Sequence, residues 1–269
     1  MNRIAAAFQR LRETKHKAFM PFLAAGDPSL GATAAILKEL AERRAADLVE
    51  LGLPYSDPVA DGPTIQAGYT RALAAGVTPG AVFDMLARLR ADGFDLPVCL
   101  MTSYSLVYRP GVEEFVARAA DAGADGLIVP DLPVDEAGAL GELLAARDLA
   151  HVLLVAPTTP PDRLQRILQH ATGFVYCVSV TGITGERKTM PKHLADYVRR
   201  VKKGAKVPVC VGFGISQPEH VAAVSKLADG VIVGSAVVHT IANHAAESPE
   251  AIAKAVARLC EELAAPLRT

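Results

Sequence analysis

Glu50 interrupts the apolar part of a strand-like segment at residues 47–53 (DLVELGL), which begins with Asp47. In an extended strand, alternation places Glu50 on the face opposite the aliphatic Val49, Leu51 and Leu53. The aliphatic face is expected to pack against helices, so Glu50 should point inward. Burial without a partner raises the pKa of a carboxyl group, which can then donate and accept protons near neutral pH, as general acid–base catalysis requires. The alternative is a structural carboxylate held by a salt bridge or a backbone donor.

Two aspartates, Asp57 and Asp61, follow in a loop that also contains three prolines between residues 54 and 63. Prolines restrict the backbone, so both carboxylates should be held in place. One of them could face Glu50 and accept a hydrogen bond from a substrate N–H or O–H group. Alternatively, both aspartates serve only as turn formers.

Small residues follow the last two strand-like segments, in residues 211–216 (VGFGIS) and 233–238 (VGSAVV). Backbone N–H groups in such positions can bind a phosphate group. Gly214 would let the backbone approach the anion, and Gly234 and Ser235 would offer amides and a hydroxyl near the start of a helix. Residues 179–189 (SVTGITGERKT), which are polar and contain two glycines, are typical of a closing lid or of a plain surface loop.

The elements that must position these residues alternate regularly along the chain. The predicted strands are 19–25, 47–53, 97–102, 126–130, 151–156, 173–179, 207–213 and 229–234. The predicted helices are 30–43, 79–91, 111–122, 134–147, 161–170, 191–202, 217–227 and 249–263. The strands show little polar alternation, which is typical of parallel strands covered on both faces.

Eight strands alternating with eight helices predict an α/β fold, a (β/α)8 TIM barrel formed by a single domain over residues 1–269. The helical spacing of apolar residues in 2–13 adds an extra N-terminal helix. A doubly wound open sheet is the alternative, but its first turn would usually be glycine-rich, and AAGDPSLG does not read GxGxxG. In a barrel, catalytic residues lie at the carboxyl ends of the strands, where the residues singled out above fall.

Composition disfavours several other classes of protein. With 28 Lys+Arg, 29 Asp+Glu and a net charge of −1, the chain has no basic stripe for nucleic acid. Its longest apolar runs are shorter than the ~18 residues of a membrane span. The N-terminal residues do not read as a signal peptide, although a transit peptide is conceivable. No metal-ligand spacing is present, and the seven histidines form no catalytic constellation. The four cysteines are predicted to be buried free thiols, as in the cytoplasm: Cys99, Cys177, Cys210 and Cys260.

Several motifs together resemble the α-subunit family of the tryptophan synthases over nearly the whole chain. They are FMPFLAAGDP (19–28), VELGLPYSDPVADGPTIQ (49–66), AAGVTP (74–79), VPDLPVDE (129–136), SVTGITG (179–185), GFGIS (212–216) and GSAVV (234–238). The resemblance implies a lyase that cleaves indole-3-glycerol phosphate to indole and glyceraldehyde 3-phosphate by a retro-aldol step. It assigns the proton transfers to Glu50 and the acceptance of the indole N–H to Asp61.

The resemblance also implies the remaining substrate-binding residues. Thr184 and Gly185 would belong to the lid, with Thr184 positioning the loop aspartate. The other expected residues are Phe22 and Tyr176 in the substrate pocket and Gly214, Gly234 and Ser235 at the phosphate.

By the same resemblance, the chain works in an αββα complex. The β subunit carries pyridoxal phosphate and receives indole through an internal tunnel, so no cofactor is expected in this chain. Residues 54–58 and 131–133 are expected to contact the β subunit. Many relatives read MTYYNPV where this chain has MTSYSLV, so Ser103 and Ser105 change the pocket or interface details.

Two rival functions are considered. Another phosphate-binding barrel, such as a sugar-phosphate isomerase or epimerase, would use the same anion site but would not need the pair of Glu50 and Asp61. A non-catalytic barrel that only activates a partner would be favoured by loss of that pair, and both residues are present.

Overall fold

The computed structural model describes residues 2–58, 61–178, 193–212 and 214–268. Its eight strands are all parallel and follow one another around a closed barrel in sequence order, with β8 pairing with β1. The strands are β1 Ala18–Ala24, β2 Val49–Gly52, β3 Val98–Met101, β4 Gly126–Ile128, β5 Ala150–Val155, β6 Val175–Val178, β7 Val209–Gly212 and β8 Gly230–Val233. The predicted TIM barrel is therefore confirmed.

Twelve α-helices lie in the described residues. They are α1 Arg3–Thr14, α2 Leu30–Glu42, α3 Pro63–Ala74, α4 Pro79–Ala91, α5 Tyr104–Tyr108, α6 Val112–Asp121, α7 Gly138–Ala146, α8 Pro161–His170, α9 Leu194–Gly204, α10 Pro218–Ser225, α11 Ser235–Asn243 and α12 Pro249–Ala264. A short 3-10 helix, Ala265–Leu267, follows α12.

The strands separate two apolar clusters, as alternation requires of a barrel. The outer cluster lies between strands and helices and contains Val49 and Leu51 of β2. The inner cluster lies inside the barrel and contains Met20, Cys99 and Ile232. Because residues on one strand face alternately inward and outward, the outward position of Val49 and Leu51 sends the intervening side chain into the barrel.

Helix α1 packs against one end of the inner cluster. Its buried residues Ile4, Phe8 and Leu11 belong to that cluster, and the Phe8 ring lies 6.1 Å from the Phe174 ring. Asn2 begins the helix by accepting a hydrogen bond from the Ile4 N–H at 2.9 Å. The predicted N-terminal helix is confirmed, and the opposite end of the barrel stays available for a site.

Two helices, α3 and α5, were not predicted, and of α11 only the start near Gly234 and Ser235 was predicted. The sequence predicts a proline-rich loop where α3 begins, yet Pro63 occupies the first helical turn, where its missing N–H is not needed. Helix α7 begins at Gly138, later than the predicted 134.

In the described ranges, no single helix has the length and apolar composition to cross a membrane; only the pair α3 and α4, bent by 91°, passes that test together.

Candidate active site

Seven of the nine residues expected from the sequence line one pocket at the carboxyl ends of the strands. They are Glu50, Asp61, Phe22, Tyr176, Gly214, Gly234 and Ser235. The pocket is completed by Gly62, Ile65, Met101 and Ile232. The other two expected residues, Thr184 and Gly185, lie outside the described residues, as does the whole predicted lid at 179–189.

Glu50 lies on the interior face of β2, in register with Phe22 of β1 and Cys99 of β3. It is 3% exposed, and neither carboxylate oxygen has a hydrogen-bond partner among the described residues. Burial, together with the negative charge of Asp61, raises the pKa of Glu50 to about 8. The group is therefore mostly protonated at neutral pH, in the state required of a general acid.

Asp61 lies two residues before the start of α3, and its side chain reaches the same pocket. Burial raises its pKa to about 6, while the hydroxyl of Tyr55, which donates to Asp61 Oδ2 at 3.4 Å, opposes that rise. The Gln66 side-chain amide donates to the Asp61 carbonyl oxygen at 2.9 Å and fixes the loop. Asp57 instead is exposed and accepts a hydrogen bond from Ser56 at 2.8 Å. Of the two loop aspartates, only Asp61 joins Glu50.

The two carboxyl groups therefore differ in protonation state. Near pH 7, Asp61 is mainly ionised and Glu50 mainly protonated. Two neighbouring carboxyl groups with separated pKa values are a common arrangement for dividing acid and base roles. The site can thus supply one proton and stabilise one positive charge at the same time.

Backbone groups for an anion line the same pocket where β7 and β8 end. Gly234 is the N-cap of α11, and Ser235 is the first residue of that helix. Gly214 follows β7 with a φ of 72°, in the left-handed region that favours glycine. A helix N-terminus beside a glycine turn after the seventh and eighth strands is where barrels commonly bind phosphate groups.

Aromatic rings form the apolar wall, and two glycines make room for them. Tyr176 of β6 is 6% exposed, and a Cβ on Gly212 would lie 2.4 Å from its hydroxyl oxygen. A Cβ on Gly52 would lie 2.6 Å from the Phe22 ring. The rings of Phe22 and Tyr176 therefore line the pocket together with Glu50.

Sequence reasoning missed the tyrosines that surround the carboxylates. Tyr55 is hydrogen-bonded to Asp61, and the buried Tyr69 on α3 packs against both Tyr55 and Phe22. The amphipathic spacing of α3 could have revealed Tyr69, since Ile65, Tyr69 and Ala72 all lie on its buried face.

Ser103 and Tyr104 join the segment after β3 to Asp131, which follows β4, at this end of the barrel. Ser103 Oγ donates to Asp131 Oδ2 at 2.8 Å and lies 2.9 Å from Ser105 Oγ. The Tyr104 N–H donates to Asp131 Oδ1 at 2.9 Å. The two serines and Asp131 therefore form a small hydrogen-bonded cluster at this end of the barrel.

No set of three or more His, Cys, Asp or Glu side chains that could hold a metal ion occurs in the part of the chain that the structure describes. The four cysteines are buried and free, as predicted. His151 is buried too, and burial lowers its pKa to about 4.

Comparison with known proteins agrees with this geometry. A sequence profile for "Tryptophan synthase alpha chain" matches residues 8–268. The tryptophan synthase alpha chain of Gloeobacter violaceus is 49% identical over 262 residues, which cover 97% of this chain and 93% of that relative. The solved alpha subunit from Legionella pneumophila is 34% identical with a TM-score of 0.90, covering 99% and 98% of the two chains. A chain of the tryptophan synthase complex from Pyrococcus furiosus is 38% identical with a TM-score of 0.83, covering 92% and 98%. The chain belongs to the tryptophan synthase alpha chain family.

Proposed function

We propose that this protein is a lyase that cleaves indole-3-glycerol phosphate to indole and D-glyceraldehyde 3-phosphate in the synthesis of L-tryptophan. The observation that carries the proposal is the meeting of Glu50 and Asp61 with the glycine turns of β7 and β8 in one pocket. The reaction breaks the bond between the indole C3 and the glycerol chain. It needs a proton at C3 and the removal of a proton from the adjacent hydroxyl.

Glu50 supplies both proton transfers. With a pKa of about 8, it starts as the acid and donates its proton to the indole C3. The resulting carboxylate accepts the hydroxyl proton as the carbon–carbon bond breaks and the aldehyde forms. Glu50 ends protonated, so one carboxyl group moves one proton from oxygen to carbon without net change.

Asp61 stabilises the positive charge that protonation creates on the indole ring. Ionised near neutral pH, its carboxylate accepts a hydrogen bond from the indole N–H. Gly214, Gly234 and Ser235 bind the phosphate where β7 and β8 end. Phe22 and Tyr176 enclose the substrate from the walls.

Residues 179–189 are proposed to close the site, with Thr184 and Gly185 as the members that act on the loop aspartate and the substrate. A closing segment would exclude water from the charged intermediate, in which stray proton transfer would be harmful.

The chain is proposed to act with a β subunit in an αββα heterotetramer in the cytoplasm. The partner, not this chain, would hold pyridoxal phosphate and consume the indole. The loops at 54–58 and 131–133 lie at the end of the barrel where indole leaves, and they are the proposed contact. A single domain over 1–269 is sufficient for this arrangement.

The test is indole release from indole-3-glycerol phosphate by the purified chain, with and without a β subunit. We expect slow release alone and a strong rise with the partner. The absence of release in both conditions, in a folded protein, would favour another phosphorylated substrate. Release that is unaffected by replacing Asp61 with Asn would remove that residue from the proposed mechanism.

A further inference from the structure

Tyr69 carries a buried hydroxyl for which the mechanism above has no use. The side chain is 0% exposed, and its hydroxyl oxygen has no hydrogen-bond partner among the described residues. Its ring lies 6.2 Å from the Phe22 ring and 5.4 Å from the Tyr55 ring, between centroids. A buried hydroxyl without a partner destabilises the fold, so a functional role would explain why this one is present.

The hydroxyl lies in the mouth of the barrel beside β2. Its oxygen is 2.3 Å from the point where a Cβ on Gly52 would be, so the tyrosine fits only because this residue is glycine. Gly52 and Glu50 share the interior face of β2, and two residues of a strand span about 6.6 Å. The two groups are not hydrogen-bonded to each other in the structure, but the Glu50 side chain has three rotatable bonds through which its carboxylate can turn towards the hydroxyl.

Helix α3 holds the tyrosine rigidly. Arg71, one half-turn further on, forms two hydrogen bonds to Asp27 at 2.7 and 2.8 Å, and the Asp27 carboxylate is 0% exposed. Asp27 belongs to the loop after β1, so the pair ties α3 to the barrel. The Tyr69 hydroxyl is therefore preorganised, as a group that acts on a reacting residue should be.

The Glu50 carboxylate needs a hydrogen-bond donor when it is ionised. Both of its oxygens lack partners among the described residues, and a buried carboxylate in this state is costly. Five titratable groups interact electrostatically with Glu50. They are Asp61 in the loop between β2 and α3, Tyr69 on α3, Tyr176 on β6, Cys99 on β3 and Cys210 on β7. Burial raises the pKa of the tyrosines and cysteines in this set, which therefore stay neutral donors.

We propose that Tyr69 is a positioning residue whose hydroxyl donates a hydrogen bond to the Glu50 carboxylate after Glu50 has given its proton to the substrate. The inference rests on the proposed function, in which Glu50 is transiently ionised. A hydrogen bond to the charged form lowers the pKa of a carboxyl group. Tyr69 thus keeps the pKa of Glu50 closer to neutral pH than it would be without the hydroxyl. A carboxyl group with such a pKa can serve first as an acid and then as a base.

Tyr69→Phe tests this role in the full chain. Loss of a charge-assisted hydrogen bond is expected to lower kcat roughly ten- to hundredfold with little change in KM. The alkaline limb of the kcat profile should move up by about one pH unit. A purely structural residue would show neither shift, and a substrate-binding hydroxyl would raise KM with an unchanged profile; either result overturns the proposal.

Tyr197→Phe is the matched control. The Tyr197 hydroxyl donates to the Val155 carbonyl at 2.5 Å, away from the pocket. Its removal should lower the melting temperature without moving the pH profile. Tyr69→Phe should leave the melting temperature unchanged or raise it, since no hydrogen bond to a described residue is lost.

A measurement without substrate separates this proposal from the proposed function. The proteins are labelled with ¹³C at the glutamate carboxyl and observed by NMR. The Glu50 signal is assigned by its loss in Glu50→Gln and is then titrated in wild type and in Tyr69→Phe. We expect Glu50 in Tyr69→Phe to titrate about one pH unit above wild type. Equal titration in the two proteins overturns the role of Tyr69, whereas failure of wild-type indole release would overturn the function alone.

Discussion

Replacing Glu50 with Gln should make the protein more stable while removing its activity. In the unfolded chain the carboxyl has a pKa of 4.5, whereas burial and Asp61 raise it to about 8 in the folded protein. Between these two values the unfolded chain is ionised and the folded protein is protonated. Stability is therefore lost as pH rises from 4.5 towards 8, by about 1.4 kcal/mol for each pH unit.

The size of the effect follows from this interval. At pH 7, which is 2.5 pH units above 4.5, the carboxyl costs about 3 kcal/mol of folding free energy. Glu50 is only 3% exposed, so solvent does not screen this cost. Gln avoids it but buries an amide with unpaired N–H groups, which offsets part of the gain. We expect Glu50→Gln to be about 2–3 kcal/mol more stable than wild type at pH 7.

Urea denaturation followed by circular dichroism measures the difference, since the chain contains no tryptophan for fluorescence. The free energy of unfolding of Glu50→Gln should exceed that of wild type by less than about 1 kcal/mol at pH 5 and by about 4 kcal/mol at pH 8. Both figures are given before the cost of burying the amide is subtracted. Glu262→Gln is the control, because Glu262 is exposed on α12 and its replacement should change stability by less than about 0.5 kcal/mol. Equal stability of Glu50→Gln and wild type at pH 8, or a difference that does not vary with pH, would refute the reasoning.

Three further predictions concern pH, folding and substrate binding. The rate of indole release should fall below about pH 6, where Asp61 becomes protonated, and above about pH 8, where Glu50 loses its proton; a flat profile from pH 5 to 9 would contradict both roles. Arg71→Met should cost about 3–5 kcal/mol in urea denaturation at pH 7, because it leaves the buried Asp27 carboxylate unpaired, and adding Asp27→Asn should restore much of the loss. Gly214→Ala forces a side chain into a left-handed conformation at a cost of about 1–2 kcal/mol, so KM for the phosphate ester should rise; an unchanged KM would place the phosphate elsewhere.

Some features of the site could be predicted from the sequence because a strand has only two faces. Once residues 47–53 are a strand, the aliphatic Val49 and Leu51 must face the helices, and Glu50 must then face inward. The barrel could be predicted as well, because eight strands that alternate with helices are typical of a (β/α)8 fold. The glycine turns after β7 and β8 fall at the mouth because all parallel strands end there.

The choice between the two loop aspartates could not be made from periodicity. Asp57 and Asp61 lie in a proline-rich loop, where no repeat tells which side chain faces inward. The structure separates them through Tyr55 and Gln66, whose hydrogen bonds hold only the second aspartate in the pocket. Among the features of the sequence, only the family resemblance singles out Asp61.

Helix α3 was missed for a related reason. Its proline, polar residues and small residues read as loop, and its helical state depends on packing against β1 and α11. With the helix missed, Tyr69 had no predicted face and no predicted role. Tertiary packing therefore determines the part of the site on which the further inference is based.

The most direct test of the account compares the rate of indole formation in a single turnover at pH 7 by wild type and Glu50→Gln, with both proteins saturated with indole-3-glycerol phosphate. Gln cannot transfer the proton, so the account predicts a rate reduced by at least about 100-fold, with substrate still bound. Indole formation by Glu50→Gln at near the wild-type rate would contradict the assignment of Glu50 as the acid and base of the reaction.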